Sequence, residues 1–368
     1  MKQTVLRGTT ATAAFALVFG LAACGAANEQ PAAEGGTGAA AAAGASGTIS
    51  GVGASSQAAA VAAWKAKFEG ANPDATVNYD PQGSGAGRQQ FLAGGVQFAG
   101  TDAYLDKDEL GQVPAACGEL IEFPAYISPI AIAYNLDGVD NLQLDPVTLA
   151  KIFDGKITTW NDPAIAADNP GVTLPATNIT PVHRSDKSGT TENFTDYLNK
   201  AAPQEWTHEA SGDWPVTGGE AGNGTTGVVQ AITSGAGAIG YADASQIGSL
   251  HHAKIKVGDE YVAYTAEAAA KVVDASKRPE GHPEFSYAID IQRDTKEAGA
   301  YPIVLVAYTE ACTKYSDQST ADLVKAWLTY IVSEDGQQAA AEAAGSAPIS
   351  ATTRENAMKG INQISAGG

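Results

Sequence analysis

The sequence VHRSDKSGTTENF, residues 182–194, joins the end of an apolar run to the start of a helical pattern. Phe194, Tyr197 and Leu198 recur at the i, i+3, i+4 spacing that places side chains on one face of a helix. Ser188 and its neighbours offer hydroxyl groups that can cap the first turn of that helix. The stretch therefore predicts a strand end, a polar turn and the start of an amphipathic helix.

The first turn of this helix has the chemistry of an anion site. Its first backbone N–H groups have no intrahelical partner, and the macrodipole places partial positive charge there. Gly189 allows a ligand to approach the backbone, Ser188 and Thr190 add hydroxyl donors, and Arg184 adds a planar fork of donors. The segment predicts a pocket for a tetrahedral oxyanion, and an ordinary capped helix beside a surface arginine is the alternative.

Two further turns rich in glycine and hydroxyl groups also precede helical patterns. They read SGVGASSQ at residues 50–57 and YDPQGSGAGR at residues 79–88. If the fold brings the three turns together, they form an anion site built from backbone and hydroxyl donors.

In order and spacing, these motifs resemble the ligand motifs of the PstS family, the phosphate-binding proteins of phosphate-specific ABC importers. The matching segments are GVGAS at 51–55, GSG at 83–85, GTD at 100–102 and RSDKSGT at 184–190. The resemblance continues through IFDGKITTWND at 152–162 and GAIGY at 237–241 into the C-terminal region.

Helical and strand-like segments alternate along the chain, which argues for α/β layers. The resemblance implies a two-lobed α/β fold of the type II periplasmic-binding-protein kind, with the ligand in the cleft between the lobes. Carried over, lobe one comprises residues 49–134 and 302–368, and lobe two comprises residues 135–301. The sequence alone does not show this discontinuity.

The resemblance also implies the ligand set. Arg184 is expected to donate to two phosphate oxygens, and Asp186 to orient its guanidinium group. The other phosphate-binding residues are expected to be Ser55, Ser56, Ser84, Asp102, Ser188, Gly189 and Thr190. The family commonly has Thr-Phe where this chain has Ser55-Ser56, so a serine hydroxyl replaces the threonine hydroxyl and the packing of the phenylalanine is lost.

Asp102 is unexpected in an anion site, because a carboxylate repels an anion unless the ligand carries a proton. Hydrogenphosphate and dihydrogenphosphate have P–OH donors, whereas sulfate at neutral pH has none. A buried acceptor that faces another oxygen without a proton costs several kcal/mol. We expect Asp102 to discriminate phosphate from sulfate, as the matching aspartate does in the family; a cap on a helix at residues 105–110 is the alternative.

The N-terminus has the pattern of a lipoprotein leader. Lys2 and Arg7 precede an apolar stretch at residues 13–23 that is too short to span a membrane. It ends LAACG, which resembles a bacterial lipobox with cleavage before Cys24. We expect a signal peptide at residues 1–23 and a lipid-anchored, Ala/Gly-rich tether at residues 24–48, and a plain secretory signal is the alternative.

The chain has three cysteines. If Cys24 carries lipid, Cys117 and Cys312 remain, and an even pair in an exported protein indicates a disulfide. Two free, buried thiols are the alternative.

Charge and motif content argue against several other functions. The net charge of −19 argues against nucleic-acid binding. It does not preclude anion binding, because exposed carboxylates more than about 8 Å away are largely screened at physiological salt. The five histidines show no metal-ligand spacing, His251-His252 is predicted to lie in a solvated loop, and no nucleophile elbow or P-loop is present. We therefore expect no enzyme activity, cofactor or metal.

Together these features predict a monomeric, extracytoplasmic receptor that is tethered to the membrane through Cys24. It is expected to capture inorganic phosphate and to deliver it to the ABC permease subunits of a phosphate importer. The alternatives are a binding protein for sulfate or molybdate, against which Asp102 argues, and a surface lipoprotein without a ligand, against which the three donor turns argue.

Overall fold

The computed structural model describes residues 45–367 of the 368-residue chain. The predicted signal peptide, the lipidation site at Cys24 and nearly all of the predicted tether lie outside the described residues. Within the described part, no helix has both the length and the apolar character needed to cross a membrane.

Residues 45–367 contain strands and helices that alternate, as the sequence predicts. The strands are β1 (Gly47–Gly53), β2 (Ala75–Asp80), β3 (Phe98–Thr101), β4 (Leu120–Asn135), β5 (Gln143–Leu144), β6 (Thr180–Arg184), β7 (Glu220–Gly222), β8 (Ala238–Asp243), β9 (His251–His252), β10 (Lys254–Val257), β11 (Glu260–Val262), β12 (Val304–Cys312), β13 (Lys314–Tyr315) and β14 (Ser365–Ala366). The helices are α1 (Ala58–Ala71), α2 (Ser84–Leu92), α3 (Lys107–Leu110), α4 (Pro146–Phe153), α5 (Pro163–Asp168), α6 (Gly189–Ala201), α7 (Gly224–Ser234), α8 (Ala266–Ala275), α9 (Gln318–Val332), α10 (Glu334–Ala344) and α11 (Ala351–Ile361).

Nine of these strands form one mixed sheet in the order β2-β1-β3-β12-β4-β8-β6-β7, with β9 also paired to β4. Strands β1, β2 and β3 run parallel to one another, as do β6, β7 and β8. The two central strands, β12 and β4, are antiparallel to their neighbours. The main sheet thus has two parallel ends joined through an antiparallel middle.

Strand β4 joins the two halves of this sheet. It is sixteen residues long and buried over all but its last residue. Its first part pairs with β12, whereas residues 130–135 pair with β8. A strand covered on both faces reads as a nearly continuous apolar run, as the sequence does here. The chain changes from one half to the other within β4, and the lobe boundaries given above stay a prediction.

The C-terminal helices pack back onto the first half of the chain. The ring of Phe68 on α1 meets Trp327 on α9 edge to face, with ring centroids 5.3 Å apart. Trp64 Nε1 donates a hydrogen bond of 2.7 Å to the carbonyl of Gly336 on α10. These contacts bury the apolar faces of α1 and α9, which gives that half of the sheet a continuous core.

A disulfide joins Cys117 to Cys312 across 195 positions of sequence, with the two Cα atoms 4.8 Å apart. Cys117 ends a short 3-10 turn just before β4, and Cys312 is the last residue of β12. The predicted pairing is confirmed, and it holds together the ends of two paired strands.

One local prediction is wrong. His251 and His252 form the short strand β9, which pairs antiparallel with Tyr134 and Ala133 of β4, instead of a solvated loop. The ring of His251 also stacks on Tyr134, with centroids 5.7 Å apart. A two-residue strand is too short to show an alternating pattern in the sequence, so its pairing partner decides it.

Candidate anion-binding site

The three predicted turns follow β1, β2 and β6, and they meet around Asp102 at the carboxyl end of β3. This is the kind of edge at which open α/β sheets bind ligands. Ser56, after β1, donates to Oδ1 of Asp102 over 2.6 Å. Thr190, after β6, donates to Oδ2 of the same carboxylate over 2.9 Å. Ser84, at the start of α2, accepts the backbone N–H of Asp102 over 3.1 Å. Segments that are far apart in sequence therefore converge on one aspartate, two of them at its carboxylate and one at its main chain.

Asp102 is almost fully buried, with 2% of its surface exposed. Burial raises the pKa of its carboxyl group above the ordinary value, although the hydroxyl groups of Ser56 and Thr190 and the charge of Arg184 oppose that shift. The alternative role as a helix cap is wrong, because Asp106 caps α3 and accepts the N–H groups of Asp108 and Glu109 at 2.8 Å each. The carboxylate of Asp102 is thus a buried acceptor, and both of its partners are neutral hydroxyl groups.

Arg184 is held in place by Asp186. Its side chain is buried, Nε donates to Oδ1 of Asp186 over 2.8 Å, and Nη2 donates to Oδ2. Oδ1 also accepts the N–H of Gly224 over 3.0 Å. Burial favours a higher pKa for Asp186, but the hydrogen bonds and charge of Arg184 together with the Gly224 N–H hold it below the ordinary value. Among the described residues Nη1 of Arg184 has no acceptor, so one edge of the guanidinium group is available to a ligand.

The backbone of Arg184 is fixed as well. Its N–H donates to the hydroxyl oxygen of Tyr241 on β8 over 3.3 Å, and that hydroxyl pairs with Thr191 at 2.7 Å. Burial raises the pKa of Tyr241 to about 12, so the phenol stays neutral at physiological pH. The end of β6 and the first turn of α6 are therefore joined through one tyrosine.

The N-terminus of α6 has the predicted geometry. Ser188 is its N-cap and accepts the N–H of Thr191 over 3.3 Å. A Cβ at Gly189 would lie 2.7 Å from both Cβ of Asp102 and Oγ of Ser84, so only glycine fits there. This close approach places the positive end of a thirteen-residue helix beside the acidic side chain.

The GSG turn contacts the arginine turn directly. Gly85 N–H donates to the carbonyl of Lys187 over 3.2 Å. Gly83 has φ of +104°, and a Cβ there would lie 2.6 Å from Oδ2 of Asp186. A Cβ at Gly85 would lie 2.8 Å from Cβ of Lys187. Glycine suits both positions, because each faces the arginine turn too closely for a side chain and Gly83 also has a positive φ.

The two serines at residues 55 and 56 have different partners. Ser55 Oγ accepts the N–H of Thr225 at the start of α7 and pairs with its hydroxyl group, both at 3.1 Å. The hydroxyl of Ser56 donates to the carboxylate of Asp102. Gln246 donates to both serine carbonyls, at 2.9 and 2.7 Å, and this contact had no signal in the sequence.

A second arginine beside the site was missed. Arg88 on α2 is buried and donates to the hydroxyl of Thr101 over 3.1 Å. It also forms ion pairs with Glu109 at 3.0 Å and Glu192 of α6 at 3.2 Å. No local sequence pattern indicates these ion pairs, because Glu109 lies on α3 and Glu192 lies on α6, and both are distant from Arg88 in sequence. In residues 45–367, no group of three or more His, Cys, Asp or Glu side chains could hold a metal ion.

Comparison with known proteins identifies the superfamily to which this chain belongs. A family model described as a PBP superfamily domain matches residues 38–335, so the chain is a member of that superfamily. A solved structure of a high affinity periplasmic phosphate-binding protein, bound with phosphate, is similar with a TM-score of 0.68 at 22% identity. The match covers 85% of this chain and 93% of that one. The predicted two-lobed, periplasmic-binding-protein-like α/β fold is thereby confirmed.

Two relatives from Mycobacterium tuberculosis narrow the class further. Phosphate-binding protein PstS 3 is 37% identical over 278 residues, which are 74% of this chain and 75% of the relative. Phosphate-binding protein PstS 2 is 34% identical over 355 residues, which are 94% of this chain and 95% of the relative. The chain belongs to the PstS family of phosphate-binding proteins.

Proposed function

We propose that this protein captures inorganic phosphate outside the cytoplasm and delivers it to the permease of an ABC-type importer. The observation that carries the proposal is one buried carboxylate, Asp102, set among many donors. The donors are the free edge of Arg184, the hydroxyl groups of the three turns and the backbone N–H groups that open α6. A ligand that suits this arrangement accepts many hydrogen bonds and donates at least one.

Phosphate meets that requirement at neutral pH and sulfate does not. Each oxygen of Asp102 accepts one hydroxyl bond, from Ser56 or Thr190, and retains a further lone pair for a ligand P–OH. A fully deprotonated oxyanion in the same place leaves two acceptors facing each other without a proton. The names of the relatives support phosphate as the ligand, since both are called phosphate-binding proteins.

We infer a binding function without catalysis. The relatives are named as phosphate-binding proteins. The candidate site consists of hydrogen-bond donors around one buried carboxylate, which suits the binding of an anion. His183, the histidine beside Arg184, has Nδ1 2.9 Å from the carbonyl of Arg184 and Nε2 3.2 Å from that of Gly218. Its ring also stacks on Trp214, with centroids 5.2 Å apart. These contacts suit a structural histidine, and they hold both ring nitrogens against main-chain carbonyls.

The membrane tether belongs to the same proposal. We propose that the chain is cleaved before Cys24 and that lipid on the thiol of this residue anchors the protein to the membrane. We also propose that the following Ala/Gly-rich tract is a flexible tether between the anchor and the binding domain, and that the protein is a monomer. The lipobox pattern and the family's role in import support this arrangement. A Cys24→Ala variant is expected to leave the membrane fraction with its phosphate affinity unchanged.

Calorimetry with phosphate and with sulfate, on the chain from Gly25 at one ionic strength, tests the ligand. The chain should begin before β1, since this strand starts at Gly47 and pairs with β2 from that residue. We expect phosphate to bind at least about 1,000-fold more tightly than sulfate, because an unpaired buried acceptor rejects the wrong ligand by that order. Equal affinities, or no phosphate binding, would overturn the proposal.

A further inference from the structure

Asn193 of α6 joins two parts of the candidate site that are distant in sequence. Its side chain lies one turn after Gly189 and is 6% exposed. The amide Nδ2 donates to the carbonyl of Asp102 over 2.6 Å and to the carbonyl of Gly189 over 2.8 Å. Because Thr190 already donates to the carboxylate of Asp102, α6 holds that aspartate at both its main chain and its side chain.

Arg293 holds the other end of the same amide. It is 3% exposed, and its Nη2 donates to Oδ1 of Asn193. Its Nε donates to Asp196 over 2.6 Å, and its Nη1 donates to the carbonyls of Pro302 and Val304 over 3.1 and 2.9 Å. All three guanidinium nitrogens are therefore paired. Since Arg293 offers only donors, it fixes the amide of Asn193 with Nδ2 toward the two carbonyls.

These contacts link three elements that a closing cleft has to align. Asp102 follows β3, Asn193 lies on α6, and Val304 is the first residue of the central strand β12. Asp102 and Val304 belong to predicted lobe one, whereas Asn193 and Arg293 belong to predicted lobe two. The bonds between them can form only when α6 and β3 are close.

We propose that Asn193 and Arg293 form a closure latch, a positioning pair that holds Asp102 in place for the ligand and stabilises the closed cleft. The proposal rests on the proposed function, because it concerns the same phosphate site. Neither side chain is assigned as a ligand contact. The latch acts through the main chain of Asp102 and through the orientation of α6.

A latch of this kind has a kinetic signature. Its bonds stabilise the closed state and not the first encounter with the ligand, so losing them should raise the rate of phosphate release and leave association almost unchanged. Phosphate and sulfate require the same closure. Loss of the latch should therefore lower both affinities by the same factor and leave their ratio unchanged.

Asn193→Asp is the sharpest test, because it is nearly isosteric and keeps an acceptor for Arg293. It replaces the donor amide by an oxygen that faces the carbonyls of Asp102 and Gly189. We expect phosphate affinity to fall by roughly 30- to 300-fold, since two hydrogen bonds are lost and two oxygens are left opposed. Stopped-flow tryptophan fluorescence should show most of that loss in the release rate, with Trp214 beside His183 as the reporter.

Asn169→Asp is a matched control. Asn169 is 3% exposed, and its Nδ2 donates to the carbonyls of Gln143 and Ile165, both over 2.8 Å. Its Oδ1 accepts the N–H of Gln143 over 2.8 Å, so the same substitution breaks the same kind of pair. All partners of this side chain lie within residues 143–169, away from the candidate site. We expect a similar loss of melting temperature and a phosphate affinity within about twofold of the unchanged chain.

Arg293→Lys provides a second variant that keeps the charge and loses the fork. It should weaken phosphate binding less than Asn193→Asp and should again act on the release rate. If the unchanged chain binds phosphate and both variants release it at the normal rate, the latch is wrong. Equal affinity losses in the Asn193 and Asn169 variants would also overturn it, because the effect would then be one of general stability. Failure of the unchanged chain to bind phosphate would instead refute the proposed function.

Discussion

The loops that follow β3 and β6 each carry a buried or half-buried aspartate, and the two have opposite electrostatics. Asp186, after β6, is paired with Arg184, and its pKa is held below the ordinary value. Asp102, after β3, accepts only hydroxyl and amide partners, and burial raises its pKa. The first carboxylate is committed to orienting a cation. The second remains an acceptor for a ligand proton, so one residue type performs two tasks that the neighbouring groups determine.

From this comparison of the two aspartates, we expect Arg184, the cation that Asp186 holds, to make the strongest attractive contact with phosphate. Arg184→Ala should weaken phosphate binding by roughly 2–5 kcal/mol, because a charge-assisted, bidentate contact exceeds a hydroxyl contact and the ligand charge is left under-paired. Arg184→Lys keeps the charge without the planar fork, and it should recover only part of the loss. Calorimetry measures both. An unaltered affinity in Arg184→Ala would place the ligand elsewhere.

Asp186→Asn tests whether orientation of the arginine matters separately from its charge. The variant keeps Arg184 but removes the charged partner of its Nε and Nη2 atoms. We expect phosphate affinity to fall by roughly 10- to 100-fold, as for other groups that orient a ligand-binding side chain. Sulfate should fall by the same factor, since Asp186 does not touch the ligand. A changed ratio of phosphate to sulfate affinity would show that the two aspartates are not separable.

Asp102→Asn should have a smaller effect on phosphate and an opposite effect on sulfate. The amide removes an acceptor for the ligand P–OH and adds a donor in the same position. Phosphate should weaken by roughly tenfold while sulfate strengthens, so that their ratio falls by at least about 100-fold. Calorimetry at one ionic strength gives this ratio. If Asp102→Asn leaves the ratio unchanged while Arg184→Ala abolishes binding, the site is right and the account of selectivity is wrong.

The two loops also differ in how much of their structure could be predicted from the sequence. The Arg184 turn could be predicted because its cap, glycine and donors are contiguous, and local chemistry explains them. The environment of Asp102 could be predicted only in part. Its place among the candidate site residues follows from the family resemblance, whereas the hydroxyl contacts from Ser56 and Thr190 depend on how the segments after β1 and β6 pack.

Side-chain contacts between residues that are far apart in sequence could not be predicted from the sequence. Arg293 meets Asn193 across one hundred positions, and Arg88 meets Glu192 across 104. Each pair depends on the packing of whole elements, which no local period encodes. The disulfide was predictable despite its long span, because the choice among three cysteines is small once one of them is assigned to lipid.

The smallest expected effect is on stability without ligand, and it follows from the signs of the two pKa shifts. Asp186 has a lowered pKa in the folded protein, so the unfolded chain binds more protons as pH falls below the ordinary aspartate value of 3.8, and the stability that Asp186 provides is lost there. Asp102 has a raised pKa, so the folded chain binds more protons in the pH window above 3.8, and stability falls as pH rises through that window.

Calorimetric melting temperatures in phosphate-free buffer, from about pH 3 to pH 7, should therefore distinguish the Asp186→Asn variant from the Asp102→Asn variant. The advantage of the unchanged chain over Asp186→Asn should grow with pH, and its advantage over Asp102→Asn should shrink. Slopes of the same sign for both variants would contradict the division of roles, because the pKa values of the two carboxyl groups would then be shifted in the same direction.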